Sequence, residues 1–249
     1  MNKPKILSFD IETSPNVSYT WGKYEQNVID FEREWNLLSF AYRWHGEKKV
    51  QFKGLPDYTG YKKDRFNDLQ LTKDLWELLD EADIVIAHNG DAFDIKRTNA
   101  RFLFHGLGAP SSFRSIDTLK MARKYFKLNS NKLTDIGQHL GLGEKVDTGG
   151  FELWLGCMNG EKKSWKLMEK YNKQDVVLLD KVYQALSMFE VQKQLISRFD
   201  KNDPRCTNVK CGSKNIHKRG IGLNMSSKYQ RYQCQKCGRW TKGESVTDK

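Results

Sequence analysis

The chain has 249 residues with 42 Lys/Arg against 31 Asp/Glu, a formal charge of +11, and is long enough for one full core or a domain plus a small module. No apolar run approaches a membrane span, and the start Met1-Asn2-Lys3-Pro4 lacks a signal-peptide core, so a soluble, cytoplasmic protein without a membrane partner is expected. Residues 201–249 hold 12 Lys/Arg against 3 acids, so about +9 of the +11 lies in the tail, whose natural partner is a polyanion.

Ile6 to Thr13 reads as a buried strand. Side chains alternate across a strand, so Asp10 and Glu12 share one face while Leu7, Phe9 and Ile11 point into a core. Residues 16–35 are mixed aromatic and polar and read as a loop with a short helix. Leu37–Trp44 and Val50–Phe52 are further strands, antiparallel across the turn His45-Gly46-Glu47, and residues 54–65 are a polar loop. Thr72 is the expected N-cap of a helix over Lys73–Asp80. Ile84–Ala87 has the continuous apolar character of a central parallel strand, and a helix follows from about Ala92 to Phe104.

Phe113–Asp117 is a further strand candidate, and Leu119–Phe126 and Lys132–Leu140 are helices. Residues 144–163 read as a Gly-rich loop containing Trp154, and Ser164 as the N-cap of a long helix or broken pair reaching Phe199. Strands first, then strand–helix alternation, imply an α/β domain with a mixed sheet. Asp203-Pro204 marks a boundary, dividing a domain over 1–200 from a second over 203–249.

Two carboxylates side by side on a strand repel each other unless a divalent cation lies between them, and an all-oxygen cluster suits Mg²⁺ or Mn²⁺. Asn89 to Asp94 stands where a strand yields to a helix, and in open α/β sheets ligands bind outside the carboxyl ends of strands. Tyr171 and Asp175 are four apart on a helix and share a face. Each feature alone also fits a solvated acid or a helix-terminal charge. His88 either lines the pocket or satisfies a loop backbone.

Cys206-x4-Cys211 and Cys234-x2-Cys237 flank a loop of 22 residues, with Gly212 and Gly238 after the pairs. That spacing fits a tetrahedral four-thiolate Zn²⁺ site. Asn215–Arg219 and Lys228–Gln233 are its expected strands. Lys218, Arg219, Arg231 and Arg239 are its candidate substrate contacts. Tyr229, Tyr232 and Trp240 either stack on bases or form the module's own core. Cys157 stands apart as a packed free thiol.

Taken together, Asp10-Ile11-Glu12, Asn89-x-x-x-Phe93-Asp94 and Tyr171-x-x-x-Asp175 resemble the three exonuclease motifs of the DEDD superfamily, in its tyrosine branch. The chain looks like the DnaQ-like and family-B-polymerase proofreading exonucleases and like stand-alone phage versions, over roughly residues 5–190. The cysteine module resembles the zinc ribbons of transposases and other nucleic-acid proteins. The resemblance implies an RNase H-like fold and a 3′–5′ exonuclease that uses two Mg²⁺ or Mn²⁺ ions about 4 Å apart.

In that family pattern Asp10 bridges both ions, Glu12 and Asp175 complete the first site and Asp94 holds the second. Tyr171 orients the attacking water; with a reference pKa near 10 it is no general base. Asn89 and Phe93 shape the pocket for the terminal nucleotide, and Asp117-Thr118 is structural. DNA is expected over RNA, single-stranded 3′ ends over duplex, and a replication or repair polymerase is a candidate partner. The rivals are a ribonuclease or endonuclease on the same fold, and a catalytically idle nucleic-acid-binding protein.

Overall fold

The computed structural model describes residues 4–24, 27–143, 146–194, 202–208, 211–223 and 228–246. The expected helix end at 195–199, residues 144–145 of the expected loop and the tail charges Lys201, Lys210, Asp248 and Lys249 lie outside them. The chain divides into two compact units, Met1–Leu186 and Ser187–Lys249. Among the described residues no helix is long and apolar enough to cross a membrane.

The first unit is built on a five-stranded mixed sheet. Strand β1 (Ile6–Thr13) lies in its middle. On one side β4 (Leu37–Trp44) pairs antiparallel with β1, and β5 (Gln51–Gly54) antiparallel with β4. On the other side β6 (Ile84–Ala87) and β7 (Arg114–Asp117) run parallel to β1. Leu7, Phe9 and Ile11 enter the core with Leu37, Phe40, Leu75, Leu79 and Met168, which sets the opposite face of β1 for Asp10 and Glu12. The β1–β4 register slips between Glu12 and Thr13, an irregularity that ends the ladder beside the acidic pair.

Helices α1 (Leu69–Glu81), α2 (Asp94–Phe104), α3 (Thr118–Tyr125), α4 (Leu133–His139), α5 (Glu152–Met158) and α6 (Lys162–Gln194) accompany the sheet. Expectations are corrected at several points along the first unit. Residues 16–35 form a hairpin of β2 (Val17–Tyr19) and β3 (Asp30–Arg33) with no helix among the described residues; its strands are too short for a readable alternation. The expected 144–163 loop contains α5, because Leu153, Gly156 and Cys157 bury one face of a short helix. Ser164 lies inside α6, which starts at Lys162.

Helix α1 starts three residues before Thr72, which is buried inside its first turn and gives its N–H to the Asp68 carbonyl. Asp68 is the N-cap, yet its side chain caps nothing, because both oxygens are engaged elsewhere. Oδ2 accepts from Leu37 N at 2.7 Å and Arg101 Nε at 2.7 Å; Oδ1 meets Arg101 Nη2 and His105 Nε2. This fully buried carboxylate joins the start of β4 to α2. Breaking a buried pair strands the remaining charge, so Asp68→Ala is expected to cost about 3–5 kcal/mol, read as a lowered urea midpoint; an unchanged midpoint would refute the tie.

Candidate active site

The acidic face of β1 meets α6. Asp10, Glu12 and Asp175 each place a carboxylate oxygen within 4.8 Å of the other two. Asn172, one residue after Tyr171 and fully buried, donates from Nδ2 to Asp10 Oδ2 at 2.7 Å and to the Asp10 carbonyl at 3.2 Å; its own Oδ1 accepts from Ser39 Oγ at 3.1 Å. Trp154, from α5, donates its indole N–H to Glu12 Oε2 at 3.1 Å. Two residues before Asp10, Ser8 bonds Asp180, which also accepts from Arg43 Nε at 2.6 Å. Three alternate positions on β1 thus engage α5 and α6.

Asp94 opens α2, buried, with Oδ1 accepting the backbone N–H of Ile11 at 3.2 Å. That bond brings it to the backbone residue between Asp10 and Glu12. The turn that delivers it begins at Asn89, whose φ of 64° is the one positive value at a non-glycine residue among the described residues; Asn tolerates that region because its short side chain bonds locally. Asp117 holds the turn, accepting from Asn89 N and Asp91 N while capping α3 through Leu119 N and Lys120 N. This fits the structural role expected of Asp117-Thr118. His88 has both ring nitrogens engaged, Nδ1 with Thr118 Oγ1 and Nε2 with the Asn131 carbonyl. Phe93 is partly exposed at the helix start, beside Arg97.

The electrostatics follow from burial and like charge. Burial, then Asp94, Glu12 and Asp175, raise the Asp10 carboxyl well above its ordinary range. Burial and then Asp175 push Glu12 up to about 8, against the Trp154 hydrogen bond. Burial lifts Asp94 to about 7, against the Ile11 N–H. Tyr171 is raised far above the phenol range by burial and by Glu12, Asp175 and Asp10, so it keeps its proton at neutral pH. Its ring meets Trp154 edge-on, with centroids 6.1 Å apart.

The donor set fits a hard divalent cation. Asn172 and Trp154 each engage one oxygen of Asp10 and Glu12, and the other oxygen accepts no hydrogen bond from a described residue. Asn172, Trp154, Ser8 and Asp180 were not among the expected site residues. Asn172 was hidden because a polar residue in a polar helical stretch looks solvated. Trp154 gives no such signal because the glycine-rich stretch around its helix reads as a loop.

The second unit holds the cysteines. Its antiparallel sheet has the order β10-β9-β8, from β8 (Ile216–Leu223), β9 (Lys228–Cys234) and β10 (Trp240–Val246), the last an unexpected third strand. The four sulfurs of Cys206, Cys211, Cys234 and Cys237 lie within 4.8 Å of one another, with Cys206–Cys237 at 3.5 Å and Cys211–Cys234 at 3.8 Å. Four thiolates at about 2.3 Å from a tetrahedral ion stand about 3.8 Å apart. Gly212 (φ 54°) and Gly238 (φ 73°) follow Cys211 and Cys237 in the left-handed region, where the chain turns back.

The backbone N–H of Arg239 helps lower Cys237 to about 7, while burial pushes Cys206 to about 12. Tyr232 is buried in the module, whereas Trp240 is exposed under the Arg231 guanidinium at 4.3 Å. Lys218 and Arg219 are exposed on β8 and Arg239 is half-buried. These four cations belong to the second unit, while every expected acidic ligand belongs to the first.

A family model described as RNase_H superfamily matches residues 42–187, a span that includes Asp94, Tyr171 and Asp175 and begins after β1. Among solved structures, the family B DNA polymerase from the hyperthermophilic archaeon Pyrobaculum calidifontis is similar with a TM-score of 0.57 at 13% identity, over 78% of this chain and 26% of the polymerase. The chain therefore spans about a quarter of that polymerase's length, and the likeness is one of fold. No curated protein matches the sequence.

The raised carboxyls make metal and pH interdependent. Between an ordinary carboxylate pKa and about 8 the folded chain binds more protons at Glu12 and Asp94 than the unfolded chain does. Their contribution to stability is therefore present at low pH and lost as pH rises through that window. In chelator, calorimetry should show Tm falling from about pH 5 to 8.5, less steeply in Glu12→Gln. Added Mg²⁺ or Mn²⁺ should raise Tm more at the high end, since ligands must be deprotonated to bind. Equal slopes for wild type and Glu12→Gln would refute it.

Proposed function

The chain belongs to the RNase H superfamily, and from that premise we propose that it is a metal-dependent 3′–5′ exonuclease of the tyrosine DEDD branch, acting on single-stranded DNA. The observation that carries the proposal is the convergence of Asp10, Glu12 and Asp175 from β1 and α6, with Asp94 bonded to the backbone between the first two and Tyr171 one helical turn before Asp175. The fold likeness to a family B DNA polymerase is consistent with it.

Asp10, Glu12, Asp94 and Asp175 are the proposed ligands of two Mg²⁺ or Mn²⁺ ions. Such ions supply charge neutralisation at phosphorus and an acidified water nucleophile. The chain's own residues do the rest. Asn172 and Trp154 fix one oxygen of Asp10 and of Glu12. Tyr171, protonated, offers its hydroxyl as a donor that orients the attacking water for in-line displacement. Asn89 and Phe93 border the terminal nucleotide. Residues 203–249 are proposed as a separate zinc ribbon that contacts nucleic acid through Lys218, Arg219, Arg231 and Arg239.

A time course on 5′- and 3′-labelled DNA and RNA oligonucleotides, single- and double-stranded, tests the activity. Stepwise shortening from the 3′ end of single-stranded DNA is expected. Asp10→Ala or Asp175→Ala should fall to background while remaining folded. Tyr171→Phe should slow turnover about tenfold to a hundredfold, the scale of misplacing a reacting group. Internal cuts, a preference for RNA, or substantial Mg²⁺-dependent cleavage by folded Asp10→Ala would overturn the reading.

The ribbon has its own test. Atomic emission should find one zinc per chain, and Cys234→Ser should lose it while sparing cleavage of a short, saturating oligonucleotide. A native ribbon without zinc would remove the metal from the account.

A further inference from the structure

Arg97 lies on α2 one turn after Asp94 and is half-buried. Its guanidinium sits 4.3 Å over the Trp35 ring and 5.2 Å from that of Phe93. Among the described residues it makes no ion pair and no side-chain hydrogen bond. Stacking against rings uses the faces of a guanidinium and leaves its in-plane N–H donors unspent. Arg101, one turn further along α2, commits Nε and Nη2 to Asp68. The same helix face therefore carries one arginine committed to the fold and one held in place without a partner.

The position of Arg97 gives that contrast meaning. It lines a cavity of about 590 Å³ with Thr13, Phe151, Tyr171 and Trp154, whose indole N–H bonds Glu12. Trp35 also lines a second cavity of about 650 Å³, with Arg101 paired to Asp68, the exposed Phe104, Arg33 stacked on Phe66, and the acids Glu34 and Asp64. An arginine fork, oriented by rings and with no acid among the residues lining its cavity, matches a phosphate in shape and charge. Arginine–aromatic alternation along a groove is how sequence-tolerant single-strand sites are built.

We propose that Arg97 holds a backbone phosphate of the substrate strand next to the acidic cluster, and that the strand continues past Trp35 into the second cavity. The proposal rests on the nuclease reading for its substrate class, but its test needs no turnover.

Binding of a fluorescent single-stranded oligonucleotide is measured by anisotropy in the Asp10→Ala background, with and without Arg97→Gln, which keeps the stem of the side chain. Arg97→Lys is the second variant, and Tm checks that each is folded. Losing a charged hydrogen bond should weaken Kd about tenfold to a hundredfold. The log–log salt slope should fall by about 0.7, the value of one phosphate contact on a single strand. Lys should restore the slope but only part of the affinity, because it keeps the charge and loses the fork.

A set of oligonucleotides with one neutral methylphosphonate at successive positions from the 3′ end then locates the contact. One position should weaken binding to the Arg97 protein and leave Arg97→Gln indifferent. The proposal is overturned if Arg97→Gln keeps the affinity and salt slope, if every methylphosphonate affects both proteins alike, or if no single strand binds. Tight, Arg97-dependent binding by a wild-type protein that cleaves nothing would sink the exonuclease reading and leave the phosphate contact standing.

Discussion

Repulsion between buried carboxylates is the constraint around which the first unit is arranged. Asp10, Glu12 and Asp94 make no ion pair among the described residues. They are held instead by neutral donors, the amide of Asn172, the indole of Trp154 and the backbone N–H of Ile11. A lysine or arginine in those places would cancel the charge and remove the reason for a cation to bind. Neutral donors fix the oxygens and leave the charge in place. The raised carboxyls are the cost of that choice when no cation is bound.

Holding repelling groups together requires rigid supports brought from far along the chain. β1 is central, flanked by an antiparallel strand on one side and a parallel one on the other, so neither edge of it is free to yield. Asp94 arrives from the strand–helix turn after β6, and Asp175 from α6, more than 160 residues after Asp10. The alternate positions Ser8, Asp10 and Glu12 meet Asp180, Asn172 and Trp154 in turn. Asp180 is also tied to Arg43 on β4 and Asn172 to Ser39 on the same strand. Helix α6 is thus fastened to two strands of the sheet at the level of the acidic cluster.

The parts of this arrangement that repeat at a period were legible in the sequence. The alternation of Leu7, Phe9 and Ile11 with Asp10 and Glu12 is visible in eight residues, and so is the apolar run of Ile84–Ala87. The four-residue step from Tyr171 to Asp175 also stands out. Asn172 and Trp154 follow no period, since their roles exist only after α5 and α6 have met β1. The start of α1 is hidden in the sequence for a related reason. Asp68 is a fair N-cap by residue type, but its carboxylate is taken by Arg101, a residue 33 positions away. The β2–β3 hairpin lacks both a long strand and a tight turn signal, the two features that mark hairpins in sequence.

For the proposed nucleic-acid substrate the charge distribution sets a problem, and its solution is divided. An acidic cleft repels a phosphate backbone until cations fill it, and residues 1–200 carry only about +2 of the chain's +11. Attraction at long range must therefore come mainly from the tail, where among the described residues Lys218 and Arg219 are exposed, Arg231 is stacked on Trp240 and Lys242 on Tyr229. Long-range attraction falls off within a Debye length, about 8 Å at physiological salt, and cannot by itself register one phosphate against a catalytic centre. Registration calls for a short, oriented contact inside the cleft. Arg97, braced by Trp35 and Phe93 one turn from Asp94, is the cation lining the cavity beside Tyr171. Because it is braced by rings and not by a carboxylate, its charge is left to add to the attraction for the proposed substrate instead of being spent within the protein.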